Sequence, residues 1–196
     1  MAYTIEVKEF KGLSFSSESI DLSNHADQIN RIVQMILEND KAKELMKESL
    51  KNGPLTIKLS PPSPTVWPAH WDFNARTINI NISLSPKKTP LLLYTILFEL
   101  ANSVNPYFTP KTKESELVSV RAHETPESYA RMMELAEFST TCKVFDIYKF
   151  AQDNKLWTKD VSSFLKNPPT NFPDVWKSTN KKNARLSIIS FRHLST

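Results

Sequence analysis

An α+β fold is what the sequence predicts: a small, mainly antiparallel sheet packed on a central buried helix and a long helix that follows it. Three stretches carry the prediction. Residues 76–84 alternate Ile78, Ile80, Ile82 and Leu84 with Thr77, Asn79, Asn81 and Ser83, the two-residue period of a strand with one face buried. Residues 91–105, LLLYTILFELANSVN, are almost wholly apolar and lie between Pro90, which suits a first helical turn, and Pro106, which cannot continue one. From residue 126 to 154, Met132, Met133, Leu135, Ala136, Phe138, Val144, Phe145, Ile147 and Phe150 supply the buried face of a long helix.

The remaining elements follow in chain order. Residues 3–10 alternate Tyr3, Ile5 and Val7 with Thr4, Glu6 and Lys8 and read as a first strand. A serine-rich connector leads to Ser23 or Asn24, either of which can cap a helix whose Ile29, Ile32, Val33, Ile36 and Leu37 recur at helical spacing. A second helix over 41–51 places Ala42, Leu45, Met46 and Leu50 on one face and stops at Asn52-Gly53-Pro54. LTIKL at 55–59 is a short strand. It runs into Pro61, Pro62, Pro64 and Pro68, a loop carrying Trp67, His70, Trp71, Asp72 and Phe73, too aromatic for a solvated linker and expected to fold over the core. Short helices are expected around 158–165 and 172–176. A single domain over 1–176 and a basic, partly disordered segment over 177–196 complete the expected organisation.

Composition narrows the chemistry. With 40% hydrophobic and 23% charged residues the chain is an ordinary globular one. Its 2 glycines, Gly12 and Gly53, lie in no phosphate loop or dinucleotide fingerprint. The single cysteine, Cys142, excludes an internal disulfide and a multi-cysteine zinc cage, and fits a reducing compartment. The apolar run at 91–105 is too short for a membrane span and carries a charge. The first twelve residues lack the apolar core of a signal peptide, so the expectation is a cytoplasmic protein, or one exported without a cleavable signal. Net charge is +4, with Lys177, Lys181, Lys182, Arg185 and Arg192 near the C-terminus. A basic segment of this kind offers nucleic-acid binding as one reading, although no RNA-binding or helix-turn-helix signature accompanies it.

Glu99 is the one charge in the central helix, and a buried carboxylate needs a reason. A structural reason is an ion pair with Arg131, Arg121 or Arg76, or a set of hydrogen bonds. A chemical reason is a general acid or base raised by burial, assisted by Asn102, Asn105 or His70. The four histidines, His25, His70, His123 and His193, have no metal-ligand spacing. Cys142 on the long helix reads as a packing residue, and so do the tryptophans, except that Trp67 and Trp71 on the proline-rich loop could form a recognition surface.

An alternating strand, a short connector and a buried helix with a central glutamate resemble the core of the zincin metallopeptidases over residues 55–150. In that superfamily the helix carries His-Glu-x-x-His, with both histidines on zinc and the glutamate polarising water. Here the five positions are Phe98, Glu99, Leu100, Ala101 and Asn102. Glu99 keeps the general-base position, while both metal-binding histidines are missing. The third ligand of one branch, a glutamate on a following helix, would correspond to Glu134 or Glu137. The resemblance therefore implies a degenerate scaffold with no metal and no cofactor. It implies another protein or an extended peptide as partner, bound along the strand of Ile78 and Ile80; the aromatic loop of Trp67 and Trp71 is the other candidate surface, and Arg131 and Glu137 complete the candidate binding residues. By analogy, small domains of this kind include bacterial effectors and accessory proteins. The alternative is a peptidase-like hydrolase in which Glu99 is the base and works with Asn102, His70 or Glu137, with or without a metal.

Overall fold

The computed structural model describes residues 3–63, 68–110, 112–117 and 125–157. They form five strands and five α-helices: β1 Tyr3–Glu6, β2 Leu13–Ser17, α1 Ala26–Glu38, α2 Asp40–Leu50, β3 Leu55–Ser60, β4 Ala69–Asp72, β5 Thr77–Asn81, α3 Thr89–Ser103, α4 Lys113–Leu117 and α5 Pro126–Asp153. The strand order is β1-β2-β3-β5-β4. The α+β class is as expected, but the sheet is mixed: β3 runs parallel to β2 and to β5, while the edge strands β1 and β4 are antiparallel to their neighbours. The parallel pairing of β2 with β3 follows from the α1–α2 crossover between them.

Alternation decides which sheet face is buried. Leu13 and Phe15 of β2, Leu55, Ile57 and Leu59 of β3, and Ile78 and Ile80 of β5 all point into the core. The opposite face is polar, with the Ser14 and Thr56 hydroxyls 3.3 Å apart and Lys58 paired with Glu18 at 2.6 Å. Ile78 and Ile80 are 0% exposed, on a strand hydrogen-bonded on both sides. That corrects the expectation that they line a binding edge. The free edge belongs to β4, in the stretch expected to be a loop, and β2 likewise occupies the serine-rich connector.

Helix α3 lies against the apolar face of the sheet, with α2 and α5 packed on it. This crowding is why its sequence is apolar nearly all round. Leu92, Leu93, Ile96, Leu97, Leu100 and Ala101 are buried. No helix among the described residues is long and apolar enough to cross a membrane. Beyond α5 the chain is pinned by Trp157, whose ring meets Tyr148 edge-on at 5.4 Å and whose Nε1 donates to the Met35 carbonyl at 3.0 Å. The helices expected at 158–165 and 172–176 and the basic segment 177–196 lie outside the described residues.

Two polar residues lock this packing. Arg76, in a left-handed conformation (φ 48°) at the end of the β4–β5 turn, donates to the carbonyls of Ser49 (2.6 Å), Gly53 (3.2 Å) and Pro54 (3.1 Å). These bonds hold a backbone geometry that is unfavourable for a side-chain-bearing residue. Asn39 is 0% exposed between α1 and α2. Its Oδ1 accepts from Ala42 N (3.1 Å) to cap α2, and its Nδ2 donates to the Ile147 carbonyl of α5 (3.0 Å). Asn39→Ala removes a cap worth about 1 kcal/mol and a buried hydrogen bond to an α5 carbonyl worth about 0.5–1.5 kcal/mol. Urea denaturation is expected to show a loss of about 1.5–2.5 kcal/mol, partly recovered in Asn39→Ser, which keeps a capping oxygen without burying a charge. A loss below about 0.5 kcal/mol contradicts this role.

Candidate binding cleft

One turn of α3 places Glu99 and Asn102 on the same side, facing β4 and the first half of α5. Asn102 Nδ2 donates to Glu99 Oε2 at 3.0 Å. Its Oδ1 accepts from Thr140 Oγ1 of α5 at 2.7 Å, and Thr140 Oγ1 accepts in turn from Asn105 Nδ2 at 2.9 Å. Asn105 also donates to the Ala136 carbonyl (3.0 Å), and its Oδ1 accepts from Tyr107 N (3.0 Å). Every donor in the series Asn105, Thr140, Asn102 therefore points toward Glu99, and each bond polarises the next. The carboxylate accepts one further bond, from the backbone N–H of Trp71 on β4.

Around these residues lies a cleft of about 450 Å³. His70, Trp71 and Phe73 line it from β4 and the turn after it, Phe98, Glu99 and Asn102 from α3, Glu137 from α5, and Phe108 from the turn after α3. The structure thus brings together Glu99, Asn102, His70, Trp71 and Glu137, five of the residues singled out in the sequence. Trp67, Arg121 and His123 lie outside the described residues. Arg131 is exposed, and Arg76 is committed to its three carbonyls, with its guanidinium 5.6 Å from the Trp71 ring centroid. Neither forms the ion pair with Glu99 that the sequence suggested. His70 Nε2 stands 3.2 Å from Asn79 Nδ2. Phe108 and Thr140 were not foreseen, because neither carries a chemical signature of its own and only the fold brings them to the site.

Glu99 is 6% exposed. Burial raises its carboxyl above the ordinary value, against the hydrogen bonds from Asn102 and Trp71 that favour the charge. Glu134, half-buried on α5, is also raised by burial. Glu137 is pushed up to about 7, first by the protein packed around it and then by the charges of Glu134 and Glu99. Its surface is nonetheless open at the cleft, so water screens part of that repulsion. On α5, burial and then Asp146 raise the Cys142 thiol, which disfavours the nucleophilic thiolate.

The donor set does not fit zinc. Phe98 offers no ligand atom, and both amide atoms of Asn102 are engaged, one by Thr140 and one by Glu99. Among the described residues no three His, Cys, Asp or Glu side chains group as a metal site. Comparison with known families, curated proteins and solved structures found no match to this chain.

A raised carboxyl has a definite effect on stability. Between about pH 4.5 and about pH 7 the folded state keeps a proton on Glu137 that the unfolded chain has released, so stability falls as pH rises through this window and then levels. Glu99 and Glu134 act in the same direction. Scanning calorimetry is expected to show a melting temperature that declines across this range, with a shallower decline in Glu137→Gln. An unchanged slope in the variant contradicts the assignment.

Proposed function

We propose that this chain is a protein-interaction module that takes a segment of a partner protein into the cleft between β4, α3 and α5, on a zincin-like scaffold without metal ligands. The observation that carries the reading is the meeting of an edge strand with an aromatic-walled cleft: Trp71 and Phe73, from β4 and the turn after it, line the cleft together with Phe98 and Phe108, and β4 is an edge of the sheet among the described residues. Such concave aromatic surfaces supply the anchor pockets of protein interfaces. The order β4, β5, α3, α5 also supports it, since the resemblance calls for strand, motif helix and following helix in that sequence.

Glu99 favours binding over catalysis. A general base must reach a water or a substrate proton, whereas this carboxylate is nearly closed off and held by donors from α3 and β4. The same contact shapes how a partner binds. Because Glu99 takes the Trp71 N–H, an added strand cannot complete a ladder along β4, and side chains lodged in the cleft carry the affinity.

A second reading, a hydrolase without metal, has one observation in its favour. Glu137 opens on the cleft with a carboxyl near 7, the range suited to general acid–base work, and Glu99 lies in the same cleft.

Selection of a displayed random-peptide library on the full chain separates the two. Enriched peptides are expected to bind without being cleaved, and to bind about tenfold or more weakly to Phe73→Ala and Phe108→Ala. Lys143→Ala, on the far side of α5 beside Glu48, serves as a control that leaves binding unchanged. No enrichment, or indifference to both phenylalanines, overturns the binding reading. Cleavage lost in Glu137→Gln replaces it with the hydrolase.

A further inference from the structure

Among the described residues no cation meets the carboxyls of the cleft. Glu99 is buried with only neutral donors, and an ionised carboxylate in that position is costly unless a cation meets it. Glu137 opens on the same space, with Glu134 one turn before it on α5. Among the described residues the ion pairs are Lys43–Asp40, Lys58–Glu18 and Lys143–Glu48, none of which involves a cleft carboxylate. The walls are equally one-sided. Trp71, Phe73, Phe98 and Phe108 present rings, whose faces attract cations and whose surfaces suit a methylene stem. The Trp71 Nε1 is buried and has no acceptor among the described residues. A buried indole N–H normally has one.

We propose that the cleft takes a lysine or arginine side chain of the partner segment, with its charge on Glu137 at the mouth, in the field of Glu99 behind it, and its stem along the aromatic wall. This inference rests on the interaction reading above and names the residue class that reading leaves open. It accounts for three features at once: a carboxylate kept inside the protein, a second at the mouth, and an aromatic lining where an acidic site alone would be wet. A basic residue on a mobile segment supplies the counter-charge only when bound, so the site discriminates strongly against neutral segments.

The test is a two-dimensional NMR titration of the full chain with three blocked amino acids: Nα-acetyl-lysine methylamide, its arginine counterpart and the uncharged norleucine counterpart. Working at about pH 8 keeps Glu137 ionised, since its carboxyl titrates about 7. The lysine or arginine derivative is expected to bind about tenfold more tightly than norleucine and to shift the Trp71 indole resonance. Glu137→Gln, whose otherwise unchanged spectrum certifies its fold, is expected to lose most of that preference, and Glu134→Gln a smaller part. Norleucine binding as well as lysine, or a preference untouched by Glu137→Gln, overturns the proposal and leaves the interaction reading standing. So does a peptide selection enriched in sequences without lysine or arginine. If no derivative binds and no peptide is enriched, both fall together.

Discussion

Everything at the candidate site depends on one buried carboxylate that neutral donors hold, with no counter-ion among the described residues. Glu99 accepts from Asn102 on its own helix and from the Trp71 backbone on the edge strand, and through Asn102 it is tied to Thr140 on α5. A single acidic side chain thus links α3, β4 and, through Asn102, α5. Alignment of the donors makes this possible. Asn105 donates to Thr140, Thr140 to Asn102 and Asn102 to Glu99, so the series ends on the group best able to accept it. An arginine would have satisfied the charge more completely, but it would also have filled the space that is now a cleft.

The fold sets the position of that carboxylate. Parallel pairing of β2, β3 and β5 with antiparallel β4 at the edge builds a sheet whose β4–β5 end α3 packs on. The cleft is the gap between that end of the sheet and the helices. Arg76 matters here at one remove. It anchors the β4–β5 turn to the end of α2 and lies against the Trp71 ring, so the wall of the cleft is fixed from behind.

The sequence revealed much of this, unevenly. Periodicity located α1, α2, α3 and α5, because each has a strong apolar stripe or, for α3, proline boundaries. It located β5 for the same reason and still misjudged its place: alternation tells that one face is buried, not whether a strand is central or at an edge. Strands β2 and β4 were hidden because serine, proline and aromatic residues signal loops locally, and only pairing with β1, β3 and β5 makes them strands. Glu99, Asn102, His70, Trp71 and Glu137 were legible as isolated oddities, polar residues in apolar company or aromatics in a loop. Their convergence was not, since it depends on the crossing of α3 with α5. Thr140 was invisible for that reason: a threonine in a long helix becomes meaningful only beside Asn102 and Asn105.

If donors relayed from α5 govern the charge of Glu99, cutting the relay changes its titration, which carbon-13 NMR of the Glu99 side-chain carboxyl reads across a pH series in the native chain and in Thr140→Val. Loss of the hydroxyl frees the Asn102 amide to turn away, so Glu99 is predicted to titrate at a higher pH in the variant than in the native protein. An identical titration in the two proteins would contradict the relay and leave Glu99 governed by burial alone.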